Sequence, residues 1–187
     1  MHATIARAAA LALVLAAVLA AGAARAQELQ LTNLVVDSQA GAFTARFGVK
    51  PEGLIELKEN LDAGITLALT AEAELAQAGG LLGGDTVFET AYVSELTYDA
   101  LTKNYVIKRP GAEPVTGEDL AQVMSRGWGR VSMALGPWEK LTRGSDYVLT
   151  LTVALKRQDL PNWFERTLFF WSWEAVPATT YQLEFTY

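Results

Sequence analysis

The chain has 187 residues, of which 51% are hydrophobic, and its 21 Asp and Glu outnumber its 15 Lys and Arg, giving a net charge of −6. Because affinity for nucleic acid depends on neutralising phosphates with Lys and Arg, nucleic acid is not expected as a partner. The chain has no cysteine, which excludes disulfides and thiol chemistry, and its only histidine is His2.

The first 26 residues have the features of a secretory signal peptide. Arg7 precedes an apolar run over residues 8–21, and Ala24-Arg25-Ala26 is a small-x-small cleavage site. We expect cleavage after Ala26 and a periplasmic protein, because the run is short and alanine-rich for a membrane span; an uncleaved anchor is the alternative. Loss of His2 and two arginines would make the chain more acidic and free of His. Catalytic triads, His/Cys zinc sites and His- or Cys-ligated haem are then excluded, so no cofactor and no metal are expected.

The first half of the mature chain, residues 27–187, alternates strand patterns with one helical pattern. Residues 29–36 and 43–49 are predicted to be paired strands, and residues 65–75 alternate apolar side chains with Thr and Glu. Residues 54–61 have leucines at helical spacing and predict a short helix. The glycine-rich residues 78–84 predict a loop, because no Lys-Ser/Thr follows to make a phosphate-binding motif.

The centre of the chain predicts a long β-hairpin over residues 86–108, with its turn at residues 99–104. Phe88, Tyr92 and Tyr98 recur on one parity, which places them on one sheet face. A turn-rich connector is expected over residues 109–114.

Residues 116–135 are predicted to form the main amphipathic helix, because their apolar residues recur at helical spacing. Thr116 and Asp119 resemble a capping box at its start. Gly127 and Gly129 weaken a helix, but they allow its backbone to approach a sheet closely.

The C-terminal part adds strands at residues 147–155 and 181–187, with Leu183 and Phe185 expected to close the domain. The whole predicts one mainly β domain: β-sandwich-like antiparallel sheets of about seven strands with one packed helix and one short helix. The aromatic C-terminus is also typical of outer-membrane proteins, so a small outer-membrane-associated β protein is an alternative. We expect a protein that is not integral to the membrane once its leader is removed.

One element supports a family resemblance: Leu96-Thr-Tyr98-Asp-Ala-Leu101-Thr-Lys-Asn-Tyr105. With the elements that follow it, through Leu160-Pro161 to Trp171 and Trp173, the chain resembles the DUF4390 family of exported bacterial proteins of unassigned function. Asn162-Trp163 departs from the family pattern, where another proline would be expected. The resemblance implies no catalytic residues, and because some relatives are encoded near two-component sensor genes, it implies a link to envelope sensing.

The aromatic segment before the last strand is the candidate interaction surface. Its apolar run shows no parity, so some rings must face outward unless another element covers them, and an uncovered apolar patch usually marks an interaction site. Packing in the core is the alternative. We therefore expect a non-enzymatic accessory or binding protein that recognises an envelope protein or an apolar ligand through Trp163, Phe169, Phe170, Trp171 and Trp173.

Acidic residues supply the enzymatic alternative. Glu72 and Glu74 share one strand face, as do Glu89 and Glu95 on the next strand, and two carboxylates facing a cleft could hydrolyse glycans without histidine. A solvated sheet face explains the same pattern without catalysis. No EF-hand-type calcium loop is present, and no residue is assigned a catalytic role.

Overall fold

A computed structural model describes residues 29–39, 41–79, 84–158 and 174–187. The described part contains nine strands and two α-helices, with a single 3₁₀ turn at Trp138–Lys140. In chain order the elements are β1 (Leu29–Gln39), β2 (Ala42–Pro51), α1 (Leu54–Asp62), β3 (Leu67–Gln77), β4 (Thr86–Asp99), β5 (Asn104–Arg109), β6 (Ala112–Gly117), α2 (Leu120–Trp128), β7 (Val131–Pro137), β8 (Asp146–Arg157) and β9 (Glu174–Thr186).

The strands form two antiparallel sheets, as the alternating patterns predicted. The smaller sheet has the order β1-β2-β7, and the larger has the order β6-β5-β4-β3-β8-β9. Every described pairing is antiparallel. The paired strands at 29–36 and 43–49, the 86–108 hairpin and the short helix at 54–61 are confirmed.

Both sheets contribute side chains to one buried cluster. Over residues 67–75 of β3 and 147–155 of β8 the odd-numbered residues are buried and most of the even-numbered ones are Thr, Glu or small residues, so one face of the large sheet packs inward. Burying a leucine or valine contributes about 1.5–3 kcal/mol, and the cluster is built mainly from such side chains. Its largest fully buried members are Trp128, Tyr147, Phe43 and Phe47.

Helix α2 packs against β5, β6 and β2. A Cβ atom on Gly127 would lie 2.7 Å from Ile107 Cδ1 in β5, which confirms that this glycine permits a close approach to the sheet. Trp128 is fully buried, and its indole N–H donates to Ser94 Oγ at 2.9 Å. The helix is therefore fixed to the large sheet by both packing and a hydrogen bond.

The predicted helix over residues 116–135 was wrong in length. Helix α2 ends at Trp128, and Val131–Pro137 forms β7, which pairs with β2. Val131 and Leu135 are four residues apart, a spacing that fits a helix stripe and also one face of a strand. Thr116 lies in β6, and Asp119 alone caps the helix by accepting a hydrogen bond from the Gln122 N–H at 2.8 Å.

Two further expectations need correction. The connector predicted over residues 109–114 is a tight turn at residues 110–111 followed by β6, which raises the strand count above seven. The last strand begins at Glu174, earlier than the predicted residue 181. Leu183 and Phe185 pack against the core, as expected.

Candidate functional site

A groove opens where the two helices meet the β1–β2 hairpin. Its volume is about 330 Å³, within the range of small-molecule sites. We call it the helix groove, and it is lined by Thr32, Val49, Lys50, Leu54, Ala121, Met124, Ser125 and Gly129.

The turn from β2 into α1 places Leu54 in the lining of the helix groove. Gly53 adopts φ 79° and ψ 44°, a left-handed conformation that suits glycine, and α1 begins at the next residue. Leu54 is 41% exposed and Ile55 is 75% exposed, whereas Leu57 and Leu61 are fully buried. The first turn of α1 therefore presents two adjacent apolar residues to solvent.

A contact between β2 and the end of α2 sets one end of the groove. A Cβ atom on Gly48 would lie 2.5 Å from Thr32 Oγ1 and 2.7 Å from the carbonyl oxygen of Gly129. Because Gly48 has no side chain, the residue after α2 can lie directly against the hairpin. Met124, one turn earlier in the helix, is buried beneath the groove.

A second cleft adjoins the helix groove at Gly129, which lines both. This arginine cleft has a volume of about 340 Å³ and is lined by Asn33, Val35, Arg46, Phe47, Gly48, Gly129 and Arg130. The pairing of β1 with β2 shifts register between Thr32 and Val35, and Asn33 has a φ of 55°. Such a bulge bends a strand and redirects its side chains.

The two clefts carry positive charge on an acidic chain. Their lining residues include three basic side chains, Lys50, Arg46 and Arg130, and no acidic one. Arg46 forms an ion pair with Asp37 through its Nη2 atom. Neither Lys50 nor Arg130 makes a salt bridge with any residue that the structure describes.

The aromatic surface predicted from the sequence lies outside the described residues and stays a prediction. It comprises Trp163, Phe169, Phe170, Trp171 and Trp173. The helix groove was not predicted, because its lining comes from four separate elements. One sequence signal could have drawn attention to it: Leu54 and Ile55 are consecutive, so both cannot lie in one narrow buried stripe of α1.

The acidic residues lie on the outer face of the large sheet. Glu72 and Glu74 are both exposed, and Glu89 is the register partner of Glu74. The hydroxyl of Thr86 donates to Glu74 Oε1 at 2.6 Å, and Gln158 donates to Glu95 Oε1 at 3.0 Å. Within the described ranges, no group of three or more acidic residues is arranged to hold a metal ion.

Among the residues that the structure describes, three groups have clearly shifted pKa values, and none of them lines either cleft. Burial raises the pKa of Tyr92, and hydrogen bonding to Asp62 raises the pKa of Lys58. The Thr102 hydroxyl and two backbone N–H groups lower the pKa of Asp99.

In the part of the chain that the structure describes, neither helix is long and apolar enough to cross a bilayer.

Fold and groove together define a two-sheet antiparallel β protein with an apolar groove bordered by two helices. The chain belongs to the DUF4390 family, whose model, described as a domain of unknown function, matches residues 26–184. This confirms the resemblance drawn from the Leu96–Tyr105 element, which forms the turn of the β4–β5 hairpin and the strand ends beside it. Comparisons with curated proteins and with solved structures gave no match.

Proposed function

We propose that the protein is an exported accessory protein of the bacterial envelope that binds an apolar ligand in the helix groove and performs no catalysis. The observation that carries this proposal is the groove itself. Val49, Leu54 and Met124 supply an apolar lining, and Leu54 is itself 41% exposed. Sites for small molecules are concave and mostly apolar, with a few polar groups that orient the ligand.

The sequence predicts the compartment in which the protein would act. The predicted leader would export the chain, and the mature protein would lack both His and Cys. A ligand-binding accessory role is also consistent with the link to envelope sensing that the family resemblance implies.

Catalysis by carboxylates has weaker support than binding. Glu72, Glu74 and Glu89 lie on the outer face of a sheet, and none of them lines the helix groove. Acidic side chains on such a face contribute to solubility without any further role. The predicted aromatic surface is a second candidate for binding, and the experiment below includes it.

Filling the groove tests the proposal directly. Ala121 is an exposed lining residue of α2, so Ala121→Trp places a large ring in the groove without disturbing the core. Ala134, exposed on β7, provides the matched control Ala134→Trp. The neutral dye N-phenyl-1-naphthylamine should gain fluorescence with wild type and with the control. We expect Ala121→Trp to weaken dye binding by about tenfold or more, the equivalent of about 1.4 kcal/mol.

Two results would contradict the proposal. One is equal dye binding by wild type and a folded Ala121→Trp variant. The other is loss of dye binding only in the double variant Trp171→Ala/Trp173→Ala, which would move the site to the aromatic surface. Recovery of the protein from cells tests export separately: we expect a periplasmic protein beginning at Gln27, and an uncleaved chain in the membrane fraction would overturn that expectation.

A further inference from the structure

The helix groove and the arginine cleft adjoin, and their chemistries differ. Gly129 lines both, and the Gly48–Gly129 contact lies between them. On one side the wall is apolar, with Val49, Leu54 and Met124. On the other side, Arg46 and Arg130 line the arginine cleft. A ligand that spans both clefts must therefore have an apolar part and a polar part.

The polar part is expected to be anionic. Three cationic side chains line the two clefts, and the single ion pair, from Arg46 to Asp37, neutralises one of them. Glu52, which follows Lys50 closely in sequence, accepts a hydrogen bond from Gln30 Nε2 at 2.6 Å and does not line either cleft. The other two cleft cations, Lys50 and Arg130, have no ion-pair partner among the described residues, although the whole chain has a net charge of −6.

The geometry of Arg46 suits recognition of a carboxylate or a phosphate. A guanidinium carries five N–H donors, and the pair with Asp37 holds the side chain in place while using only some of them. The Nε atom of Arg46 and the Oδ1 atom of Asp37 are both buried without a hydrogen-bond partner among the described residues. The Arg46 side chain as a whole is 40% exposed, so a ligand can meet only its remaining Nη donors. Arginine binds carboxylates and phosphates through two parallel hydrogen bonds. A neutral ligand lacks the negative charge that strengthens these bonds.

The size of the clefts favours a small molecule over a protein partner. Their volumes of about 330 and about 340 Å³ are those of ligand sites. A stable protein interface buries about 1,200–2,000 Å² in total and does not need an enclosed groove.

Building on the proposed function, we infer that the occupant is a single-chain anionic lipid. Its acyl chain lies in the helix groove between α1 and α2. Its negatively charged head group lies at the arginine cleft, where Arg130 supplies an unpaired charge and Arg46, although paired with Asp37, supplies its remaining N–H donors; Lys50 lies on the adjoining wall of the helix groove.

Three probes separate the parts of this ligand: decanoate, decan-1-ol and acetate. Each is titrated calorimetrically into the mature protein, residues 27–187, below the concentration at which decanoate forms micelles. We expect decanoate to bind at least about tenfold more tightly than decan-1-ol, and acetate not to bind measurably. Raising the salt concentration should weaken decanoate binding and leave decan-1-ol binding unchanged, because only the charged contact is screened.

Matched variants assign the charged contact to residues. Arg130→Gln removes an unpaired cation of the arginine cleft, and Arg143→Gln removes an exposed arginine from the turn before β8. We expect Arg130→Gln to weaken decanoate binding by about tenfold and to leave decan-1-ol binding unchanged, with no effect of Arg143→Gln. Lys50→Gln should cause a smaller loss of the same kind, and it provides a second variant if Arg130→Gln does not fold.

The possible failures are distinguishable from failure of the proposed function. Equal binding of decanoate and decan-1-ol would show that the ligand need not be anionic, and it would still support an apolar binding site in the helix groove. Binding of acetate as tight as that of decanoate would indicate a simple anion site and overturn the lipid. If neither decanoate nor the naphthylamine dye binds, both the inference and the proposed function are wrong.

Discussion

The indole N–H of Trp128 donates to the hydroxyl of Ser94 at 2.9 Å, and both residues are buried. The same hydroxyl donates to the carbonyl oxygen of Lys108 at 2.8 Å. One serine thus links α2 to β4 and β5. Its hydroxyl acts inside the core both as a hydrogen-bond donor and as an acceptor. Because α2 forms a wall of the helix groove, this small polar network also holds the groove in shape.

Replacement of Ser94 by alanine is expected to destabilise the protein by about 1–3 kcal/mol, because a buried indole N–H loses its acceptor. Urea unfolding followed by tryptophan fluorescence measures the change. Ser132→Ala, at an exposed position on β7, is the control and should leave the midpoint unchanged. An unchanged midpoint in Ser94→Ala would mean that water replaces the hydroxyl and that the network does not stabilise α2.

The approach of α2 to β5 gives a second prediction. Alanine is a better helix former than glycine by about 1 kcal/mol, yet Gly127→Ala should destabilise the protein. Its Cβ would lie 2.7 Å from Ile107 Cδ1 and 3.0 Å from Ile107 Cγ2, and overpacking of this kind costs about 1–3 kcal/mol.

The close approach of Gly127 to Ile107 can be tested in a double-mutant cycle by thermal unfolding. Ile107→Val removes the closest atom, so the two substitutions together should be less destabilising than the sum of the single effects. Additive effects would show that the helix moves away from β5 instead of meeting Ile107.

Seven of the nine described strands were predicted from the sequence, whereas β6, β7 and the end of the main helix were not. Over residues 69–75 of β3 and 149–153 of β8, apolar residues alternate with Thr and Glu, and this period of two fits a strand and not a helix. Residues 131–135 were predicted to continue the helix, because Val131 and Leu135 fit its apolar spacing. Their burial alternates strictly in the structure, because pairing with β2 is a tertiary interaction that the sequence does not display.

The candidate site was harder to predict than the fold for the same physical reason. Thr32 and Gly129 lie far apart in sequence, and both can lie close to Gly48 in the groove region only because Gly48 has no side chain. A site prediction from sequence relies on residue types, and for this chain it selected the aromatic segment that ends at Trp173. A groove made from Val49, Leu54 and Met124 contains no unusual residue type, so its only sequence signal was the exposed pair Leu54 and Ile55.

A tyrosine hydroxyl joins the two sheets and supports a third prediction. Tyr181 of β9 accepts a hydrogen bond from the Leu31 N–H at 3.3 Å and donates to the carbonyl oxygen of Leu29 at 3.1 Å. Tyr181→Phe is therefore expected to cost about 1–2 kcal/mol, because two backbone groups of β1 lose their partner in a partly buried position.

Hydrogen exchange gives this prediction a local readout. The Leu31 amide should exchange faster in Tyr181→Phe, with little change in the amides of β3. Tyr187→Phe is the control, since the hydroxyl of Tyr187 has no hydrogen-bond partner among the described residues and its ring packs on Trp138. Identical exchange at Leu31 in wild type and Tyr181→Phe would show that the link between the sheets does not protect β1.

The β4–β5 turn gives a prediction about pH. The carboxylate of Asp99 accepts hydrogen bonds from the N–H groups of Leu101 and Thr102, at 2.9 and 3.3 Å. Together with the Thr102 hydroxyl, the largest cause, they lower the pKa of Asp99 below its ordinary value of 3.8. A carboxyl whose pKa is lower in the folded state stabilises the fold above its unfolded pKa, and this contribution is lost as the pH falls through the folded value.

Thermal unfolding of wild type and Asp99→Ala from about pH 7 down to about pH 2 tests this sign. The variant should be less stable by a constant amount above about pH 5, and the difference should shrink as the pH falls below 3.8, because protonation removes the same acceptor from the wild type. Asp99→Asn keeps a neutral acceptor oxygen and cannot titrate, so its own stability should lack this acid-dependent step. A difference between wild type and Asp99→Ala that stays constant to pH 2, or grows, would show that the ionised carboxylate does not hold the turn.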